Sequence, residues 1–433
     1  MKTKTLSESR SLHVNPLALP SSDFYRSVDE NRIVDFLCIA GWAELHRRAP
    51  QAARDAATHT LQRWVSAGLP FRKSSSGFRA FDPAEVINFA KALGIRGEDD
   101  FWEHAYVATA RSLIDGLRVR ADSSSHRFHV RLERHVNLAH YNAGARVRIH
   151  LPLPLEDDDY GATDIRVDVL TQDVEATTEP GRIVAFLNVP QNGVASLAAE
   201  IAFSCHPERS ERSKRNRRTA GIDEAELYLR PREDLIQITT RVVELAMRLG
   251  INKRDPLAAM RSIWDFLFEQ MTLGVVHYDR LPSENVLDAV LESGLFDCRL
   301  GAALIVALCR SAGIPARMRS GYALYAVPYY HYWAEVCSDD RGWLPFDLIC
   351  WDLSLRGRDN AWTDTFFGKI DARMTTETLP RTFTGFPSVQ FPKAWHVLSR
   401  PIENGAAFGL FSVESGALVY EDRLSMNAGP LLP

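Results

Sequence analysis

The stretch LFDCRLGAALIVALCRSAGIPARMRSGYALY, residues 295–325, decides the fold because it joins a helix start, a long apolar run and a helix stop. Asp297 is a suitable N-cap and places Cys298 in the first turn of the predicted helix. The helix is expected to end near Ala312–Gly313, where glycine favours a C-terminal stop. The Ile–Pro pair that follows prevents continuation and predicts a strand over residues 317–325.

Two segments downstream of that helix predict the next strands of an antiparallel sheet. HYWAEV, residues 331–336, is short and aromatic, and residues 343–349 follow it as the next strand. Consecutive antiparallel strands can bring His331 and Asp347 side by side. With the helix packed across the sheet, Cys298 can reach the same point.

These three side chains supply what a cysteine nucleophile needs. A thiol with a pKa of about 8.5 is mostly protonated at neutral pH, so a base must take its proton. His331 can act as that base because histidine titrates near neutrality, and the Asp347 carboxylate would hold the imidazole in the useful tautomer. The amide N–H groups at the start of the helix favour a thiolate at Cys298 and could bind a developing oxyanion.

Some positions near this group have more than one interpretation. Asp352 is a minor rival of Asp347 for the role of orienting the histidine. Tyr278 and His277, in the segment VVHYD, are candidates by position only for the second hydrogen-bond donor to an oxyanion. Cys298 itself would be interpreted as a buried structural thiol if its flanking motif were absent.

The same segments resemble the transglutaminase-like core, a relative of the papain-type cysteine proteases. The matching positions are Gly294 with Cys298, RSAGIPAR at 310–317, Gly321–Tyr322, HYWAEV at 331–336, and Gly342–Trp343 with Asp347. Their order of Cys, His and Asp is the order of the family. The chain departs from the family at the third member, because Leu348 and Ile349 follow Asp347 where the family often has Pro-Thr.

The resemblance implies an α+β fold in which a helix packs on an antiparallel sheet, as in papain-like enzymes. It also implies acyl transfer through a thioester on Cys298. Arg317 and Glu335 match family positions, and we expect them to form a salt bridge that braces the sheet.

Changes of pattern divide the chain into four regions. We predict an N-terminal helical region over 1–120, an antiparallel β domain over 121–205, a linker or loop over 206–222, and a catalytic domain over 223–433. The catalytic domain is expected to end in a β-hairpin around residues 414–416, which would form either a wall of the acyl pocket or the edge of a sheet.

Local signals support these regions. In the helical region, Asp82 should cap a helix that Gly94 ends, and a further helix is expected through residues 102–113. Alternation of apolar and polar residues in 145–151 and 165–169 predicts strands with one buried face, as in a sandwich. The linker is rich in Arg and Ser, which fits a solvated loop better than a basic patch for an anionic partner.

Composition narrows the functional classes. The 433 residues are 45% hydrophobic and 24% charged with a net charge of −4, so sizeable cores are expected, whereas nucleic acid or an anionic membrane is not. The six cysteines lack any C-x-x-C spacing, and we expect neither a disulfide scaffold nor a metal or other cofactor. No apolar run suits a secretion signal or a membrane span, so we expect a soluble chain in the reducing cytosol.

Three functions remain open from the sequence. The first is acyl transfer from a thioester or peptide donor to an amine acceptor, which forms an amide. By analogy of fold, a carrier protein of natural-product biosynthesis could present the donor. The second is hydrolysis by the same triad, as in a cysteine peptidase or amidase. Hydrolysis differs from acyl transfer in that water is not excluded from the thioester. The third is a catalytically idle interaction module, and the presence of all three triad residues argues against it.

Overall fold

A computed structural model describes most of the chain. The ranges described are 28–73, 77–99, 101, 126–139, 142–156, 162–179, 181–205, 226–233, 235–277, 281–282, 284–324, 329–338, 341–356, 366–379, 395–402, 405–414 and 417–426. The predicted helix through 102–113 and the predicted linker over 206–222 lie outside these residues.

The N-terminal region is helical, as predicted, but it also contains a small sheet. Its helices are α1 (Glu30–Gly41), α2 (Ala43–Arg48), α3 (Pro50–Ser66) and α4 (Pro83–Arg96). Strands β1 (Val28–Asp29), β2 (Arg72–Lys73) and β3 (Arg79–Phe81) pair in the order β1-β3-β2. Leu37, Ala57, Leu61 and Phe81 are fully buried in the core that these elements share.

Helix α4 begins where the sequence predicts and ends later. The Asp82 side chain accepts a hydrogen bond from the Ala84 N–H, which caps the helix. The predicted stop at Gly94 is wrong, because the helix continues to Arg96. Gly97 takes the left-handed conformation there, with φ of 70°, which glycine adopts without steric cost.

The second region consists of two packed antiparallel sheets. Its strands are β4 (His126–Asn137), β5 (Arg146–Pro152), β6 (Ala162–Val169), β7 (Glu175–Glu179), β8 (Arg182–Asn188) and β9 (Val194–Cys205). Strands β5, β8 and β7 form one sheet, and β4, β9 and β6 belong to the other. Leu132 and Leu197 from one sheet share a core with Leu151 and Ile183 from the other, so the predicted sandwich packing is present.

The last three strands complete the larger of these sheets. Strands β18 (Trp395–Ile402), β19 (Gly405–Glu414) and β20 (Ala417–Met426) form an antiparallel meander, which includes the predicted hairpin. Strand β20 pairs with β4, so the sheet has the order β18-β19-β20-β4-β9-β6. The predicted domain over 223–433 therefore contains strands that extend the sheet of the second region, and its bounds stay a prediction. The pairing with β20 provides partners for the backbone groups on the edge of β4 opposite β9.

The third region contains the predicted helix that follows Asp297. Its helices are α5 (Thr240–Arg248), α6 (Pro256–Gln270), α7 (Val286–Ser293), α8 (Cys298–Ser311) and α9 (Leu348–Arg356). Strands β14 (Ala316–Ala323), β15 (Tyr329–Ser338), β16 (Gly342–Phe346) and β17 (Arg373–Thr378) form an antiparallel sheet in the order β16-β15-β14-β17. Short pairs are formed by β10 (Arg232–Glu233) with β11 (Ile236–Gln237), and by β12 (Thr272–Leu273) with β13 (Leu295–Phe296).

Helix α8 is the centre of the third region. Every residue from Arg299 to Arg310 is buried, because β14 and β15 cover one side of the helix and other helices cover the rest. The arrangement is the predicted α+β core of a helix on an antiparallel sheet. The predicted strand over 343–349 is shorter in the structure, since β16 ends at Phe346 and α9 begins at Leu348. No helix in the described ranges is both long enough and apolar enough to cross a membrane.

Helix α4 of the N-terminal region docks on two segments of the third region. The Asn88 amide makes two hydrogen bonds to the main chain of Val275, at 2.8 and 2.9 Å. The Lys91 ammonium lies 2.9 Å from the Asp352 carboxylate of α9, and both side chains are buried. Buried polar groups of this kind are expensive unless paired, so they fix how α4 meets the third region.

Replacement of Lys91 by Ala should lower the free energy of unfolding by about 3 kcal/mol, because Asp352 would remain buried without its ammonium partner. The measurement is the urea or thermal unfolding midpoint of the full chain. Lys73→Ala, which removes an exposed lysine of β2, is the control and should change stability little. Similar midpoints for Lys91→Ala and Lys73→Ala would contradict the role given to the pair.

Candidate active site

Cys298 is the first residue of α8, as the sequence predicts. The Asp297 side chain accepts a hydrogen bond of 2.9 Å from the Leu300 N–H and so caps the helix. The residue is half-buried, and its thiol is free. Main-chain N–H groups of Tyr332 and Arg299 reach the sulfur. The contact with Tyr332 puts the sulfur beside the peptide group that follows His331 on β15.

The pKa of the Cys298 thiol is raised, which differs from the expectation of a ready thiolate. Withdrawal from water is the largest cause, and the negative charge of Asp297 adds to it. The two main-chain N–H groups lower the pKa, as a helix N-terminus should, but they do not offset burial and the carboxylates. The resting group is therefore a thiol, and a base has to remove its proton.

His331 is placed on β15 to meet Asp347. Its Nε2 lies 2.7 Å from Asp347 Oδ1, and both side chains are almost completely buried. Strand β15 pairs antiparallel with β16, and Asp347 directly follows β16. The structure thus brings together the histidine and the carboxylate that the sequence paired.

Asp347 has both of its carboxylate oxygens engaged. Oδ1 also accepts a hydrogen bond of 2.8 Å from the Ile349 N–H, and Oδ2 accepts one of 2.5 Å from Arg373 Nη1. Burial alone would raise the pKa of Asp347, but the facing His331 and the Arg373 guanidinium more than offset it and hold this pKa well below its usual value. Asp347 is therefore a carboxylate throughout the neutral range.

The other candidates from the sequence have different surroundings. Asp352, the rival orienter, is bound by Lys91. His277 Nε2 lies 2.9 Å from Asp82 Oδ2, at the N-terminus of α4. Tyr278, the candidate oxyanion donor, lies outside the described residues.

Two charged residues of the site were missed by the sequence analysis. Arg373, on β17, binds Asp347 and also contacts the Asp371 carboxylate. Its guanidinium carbon lies 4.8 Å from the centre of the Trp333 ring, which stacks a flat cation against an aromatic face. Neither residue belongs to a local motif. The reason is that β17 lies beside β14 in the sheet although the two strands are far apart in sequence.

The predicted brace of the sheet is present. Glu335 accepts hydrogen bonds from Arg317 at 2.7 Å and from Arg319 at 3.0 Å, and all three side chains are buried. The two guanidinium groups hold the pKa of Glu335 below its usual value, although its burial opposes them. Across the ranges described, no three His, Cys, Asp or Glu side chains converge to form a metal site.

Residues 244–348 match the family model of the transglutaminase-like superfamily. The matched range contains Cys298, His331 and Asp347. This part of the chain is therefore similar to the transglutaminase-like superfamily. No curated protein matches the sequence.

Some solved structures are also similar to the chain. A candidate cysteine protease from Cytophaga hutchinsonii is 14% identical, with 70% of this chain and 99% of that chain covered and a TM-score of 0.39. The periplasmic domain of TgpA from Pseudomonas aeruginosa is 14% identical, with coverage of 59% and 96% and a TM-score of 0.28. A candidate protease from Parabacteroides distasonis is 10% identical, with coverage of 65% and 66% and a TM-score of 0.22.

Asp347→Asn should lower stability at pH 7 by about 3 kcal/mol, because Arg373 would lose one of its charged partners. A depressed pKa stabilises the folded chain above the unfolded value of about 3.9, and this contribution is lost as the pH falls below it. The gap in unfolding midpoint between the wild type and the variant should therefore narrow from pH 6 to pH 3.

The matched control for this prediction is Asp265→Asn, which neutralises an exposed carboxylate on α6. Its midpoint should follow that of the wild type at both pH values. A gap for Asp347→Asn that stays constant across this range would contradict a low pKa of Asp347.

Proposed function

We propose that the chain is a cysteine-dependent acyltransferase that works through a thioester on Cys298. In this proposal Cys298 is the nucleophile, His331 is the general base and acid, and Asp347 orients and stabilises the imidazole. The acceptor is an amine, so that the product is an amide.

One observation carries the proposal. His331 Nε2 and Asp347 Oδ1 form a buried hydrogen bond of 2.7 Å. The residue after His331 is Tyr332, and its main-chain N–H contacts the Cys298 sulfur. A salt bridge that served only packing would not need to sit beside a half-buried thiol at a helix N-terminus. A thiol, an imidazole and a carboxylate in this order are the parts that nucleophilic acyl transfer requires.

The first half of the reaction forms the thioester. Because the resting thiol is protonated, His331 takes its proton through Nδ1 as the sulfur attacks the acyl carbonyl. The tetrahedral intermediate carries a negative oxygen, and N–H groups at the start of α8 are suitable donors to it. When the intermediate collapses, the leaving group takes the proton from His331, and the acyl group remains on Cys298.

The second half returns the free enzyme. An amine attacks the thioester carbonyl, and His331 accepts a proton from the amine nitrogen and delivers it to the departing sulfur. Asp347 stays ionised throughout, because its low pKa keeps it from competing for the proton. Water as the acceptor would give a carboxylic acid instead, which is the peptidase or amidase alternative.

The donor in this proposal is an acyl thioester, free or on a carrier protein, with a peptide as the alternative. Thioesters suit the site because the exchange of one thioester for another costs little free energy. The resemblance of motifs supports acyl transfer through a cysteine. A panel of donors distinguishes an acyl thioester from a peptide.

Incubation with a panel of small acyl thioesters and peptides should add one acyl mass to the wild-type chain, as measured by intact-mass spectrometry and located at Cys298 by peptide mapping. Cys298→Ala should show no such adduct. Cys337→Ala, which removes another partly exposed thiol, should be acylated like the wild type. An adduct of equal yield on Cys298→Ala would refute the assignment.

The acylated wild-type chain also distinguishes acyl transfer to an amine from hydrolysis. Addition of a small primary amine to the acylated chain should convert most of the acyl group to amide, with carboxylic acid as the minor product. Carboxylic acid as the main product at high amine concentration would identify a hydrolase. A wild-type Cys298 that is neither acylated nor alkylated faster than Cys337 would indicate an idle module.

A further inference from the structure

A row of alternating charges extends behind the proposed base. It runs from His331 through Asp347 and Arg373 to Asp371, and each of these side chains is at most 2% exposed. Arg373 donates to Asp347 Oδ2 through Nη1 and to Asp371 Oδ1 through Nη2. The row crosses from β15 to β17 and includes the residue that directly follows β16.

The orientation of the Arg373 guanidinium is fixed on several sides. A carboxylate binds each of its two terminal nitrogens, and the Trp333 ring lies 4.8 Å from its central carbon. The Arg373 carbonyl oxygen accepts a hydrogen bond of 3.2 Å from Cys205 Sγ. A cation held in this way presents a constant charge to Asp347, because neither member of the pair can turn away.

We infer that Arg373 is a positioning residue for the proposed acyl transfer. It aims the Asp347 carboxylate at His331 and limits the negative charge that His331 experiences, and Asp371 in turn offsets part of the Arg373 charge. This inference rests on the proposed function, because it assigns Arg373 a role through the base of that reaction. In this inference Arg373 acts through Asp347 and does not contact the substrate.

The reason lies in how a neighbouring charge acts on a base. A lone buried carboxylate beside His331 would stabilise the imidazolium strongly and make the proton hard to return to the leaving group. Arg373 reduces that stabilisation, whereas Asp371 partly restores it. The pair therefore adjusts the net charge that faces the proposed base through Asp347.

Other charged and titratable groups around the reacting atoms are also defined. Asp297 lies beside Cys298 at the start of α8, and the Arg299 guanidinium lies 5.3 Å from the centre of the Tyr332 ring. Cys350 on α9 lies 3.8 Å from both Asp371 and Arg373. Three further groups, Arg317, Arg319 and Glu335, form the separate brace on β14 and β15. All of these stay unchanged in the variants proposed below.

Neutralisation of Arg373 and neutralisation of Asp371 should have opposite effects on the pKa of the Cys298 thiol. Arg373→Gln removes a positive charge, which raises the pKa of nearby acids, including the Cys298 thiol. Asp371→Asn removes a negative charge and leaves Arg373 less compensated, which lowers the same pKa values. The direction holds whether the proton rests on sulfur or on imidazole before attack.

The experiment measures the rate of Cys298 alkylation by iodoacetamide from pH 5 to pH 10 in the full chain, with the modified site identified by mass spectrometry. Because the pKa of this thiol is raised, the midpoint of each variant is defined as the pH at which its rate equals half of the wild-type rate at pH 9. The midpoint should move up by about one pH unit in Arg373→Gln and down by a similar amount in Asp371→Asn. Arg373→Lys retains the charge and should restore a midpoint close to the wild type. Arg261→Gln, which removes a cation stacked on Phe367, should leave the midpoint unchanged.

If Arg373 and Asp371 had only a structural role, the alkylation midpoints would not shift. Both variants would then lose stability, and their midpoints would equal that of the wild type, which would overturn the inference. Shifts of the same sign in Arg373→Gln and Asp371→Asn would also overturn it. If Arg373→Gln does not fold, Asp371→Asn and Arg373→Lys still carry the test.

Failure of this inference differs from failure of the proposed function. If the wild type is acylated at Cys298 but the midpoints do not separate, Arg373 has no positioning role and the acyltransferase proposal stands. If the midpoints separate in opposite directions but no donor acylates Cys298, the charge row tunes a reactive thiol and the acyltransferase proposal fails.

Discussion

The buried carboxylate of Asp347 ties together the sheet, helix α9 and the candidate base. A charge so far from water is tolerated only when its oxygens are satisfied, and here His331, Arg373 and the Ile349 N–H satisfy them. These partners come from β15, β17 and the first turn after β16. The position of the imidazole beside the Cys298 helix therefore depends on the same contacts that hold the edges of the sheet in place.

Much of the third region can be predicted because its signals are local. Asp297 as a cap and Gly313 as a stop lie at the two ends of one helix, and short polar caps and left-handed glycines are recognised from single positions. The pairing of His331 with Asp347 follows from two strands that are consecutive in sequence and pair antiparallel. Helix α4 shows the limit of such signals, since Gly94 and Gly97 are equally plausible stops.

The remaining features depend on contacts between distant parts of the chain. Arg373 reaches Asp347 because β17 pairs with β14, and no local pattern specifies that pairing. The raised pKa of Cys298 depends on how completely its neighbours exclude water, which helix position alone does not reveal. The docking of Asn88 on Val275 likewise joins residues that the sequence separates widely.

The pairing of β20 with β4 has a consequence for biosynthesis. Strand β4 is synthesised before the whole third region, whereas its neighbour β20 is synthesised after that region. While the third region is being synthesised, that edge of β4 is open, and an open edge of this length favours pairing with other chains. The helical regions close their own cores from nearby segments and can form first. Closure of this sheet should therefore be slower than formation of the helical cores.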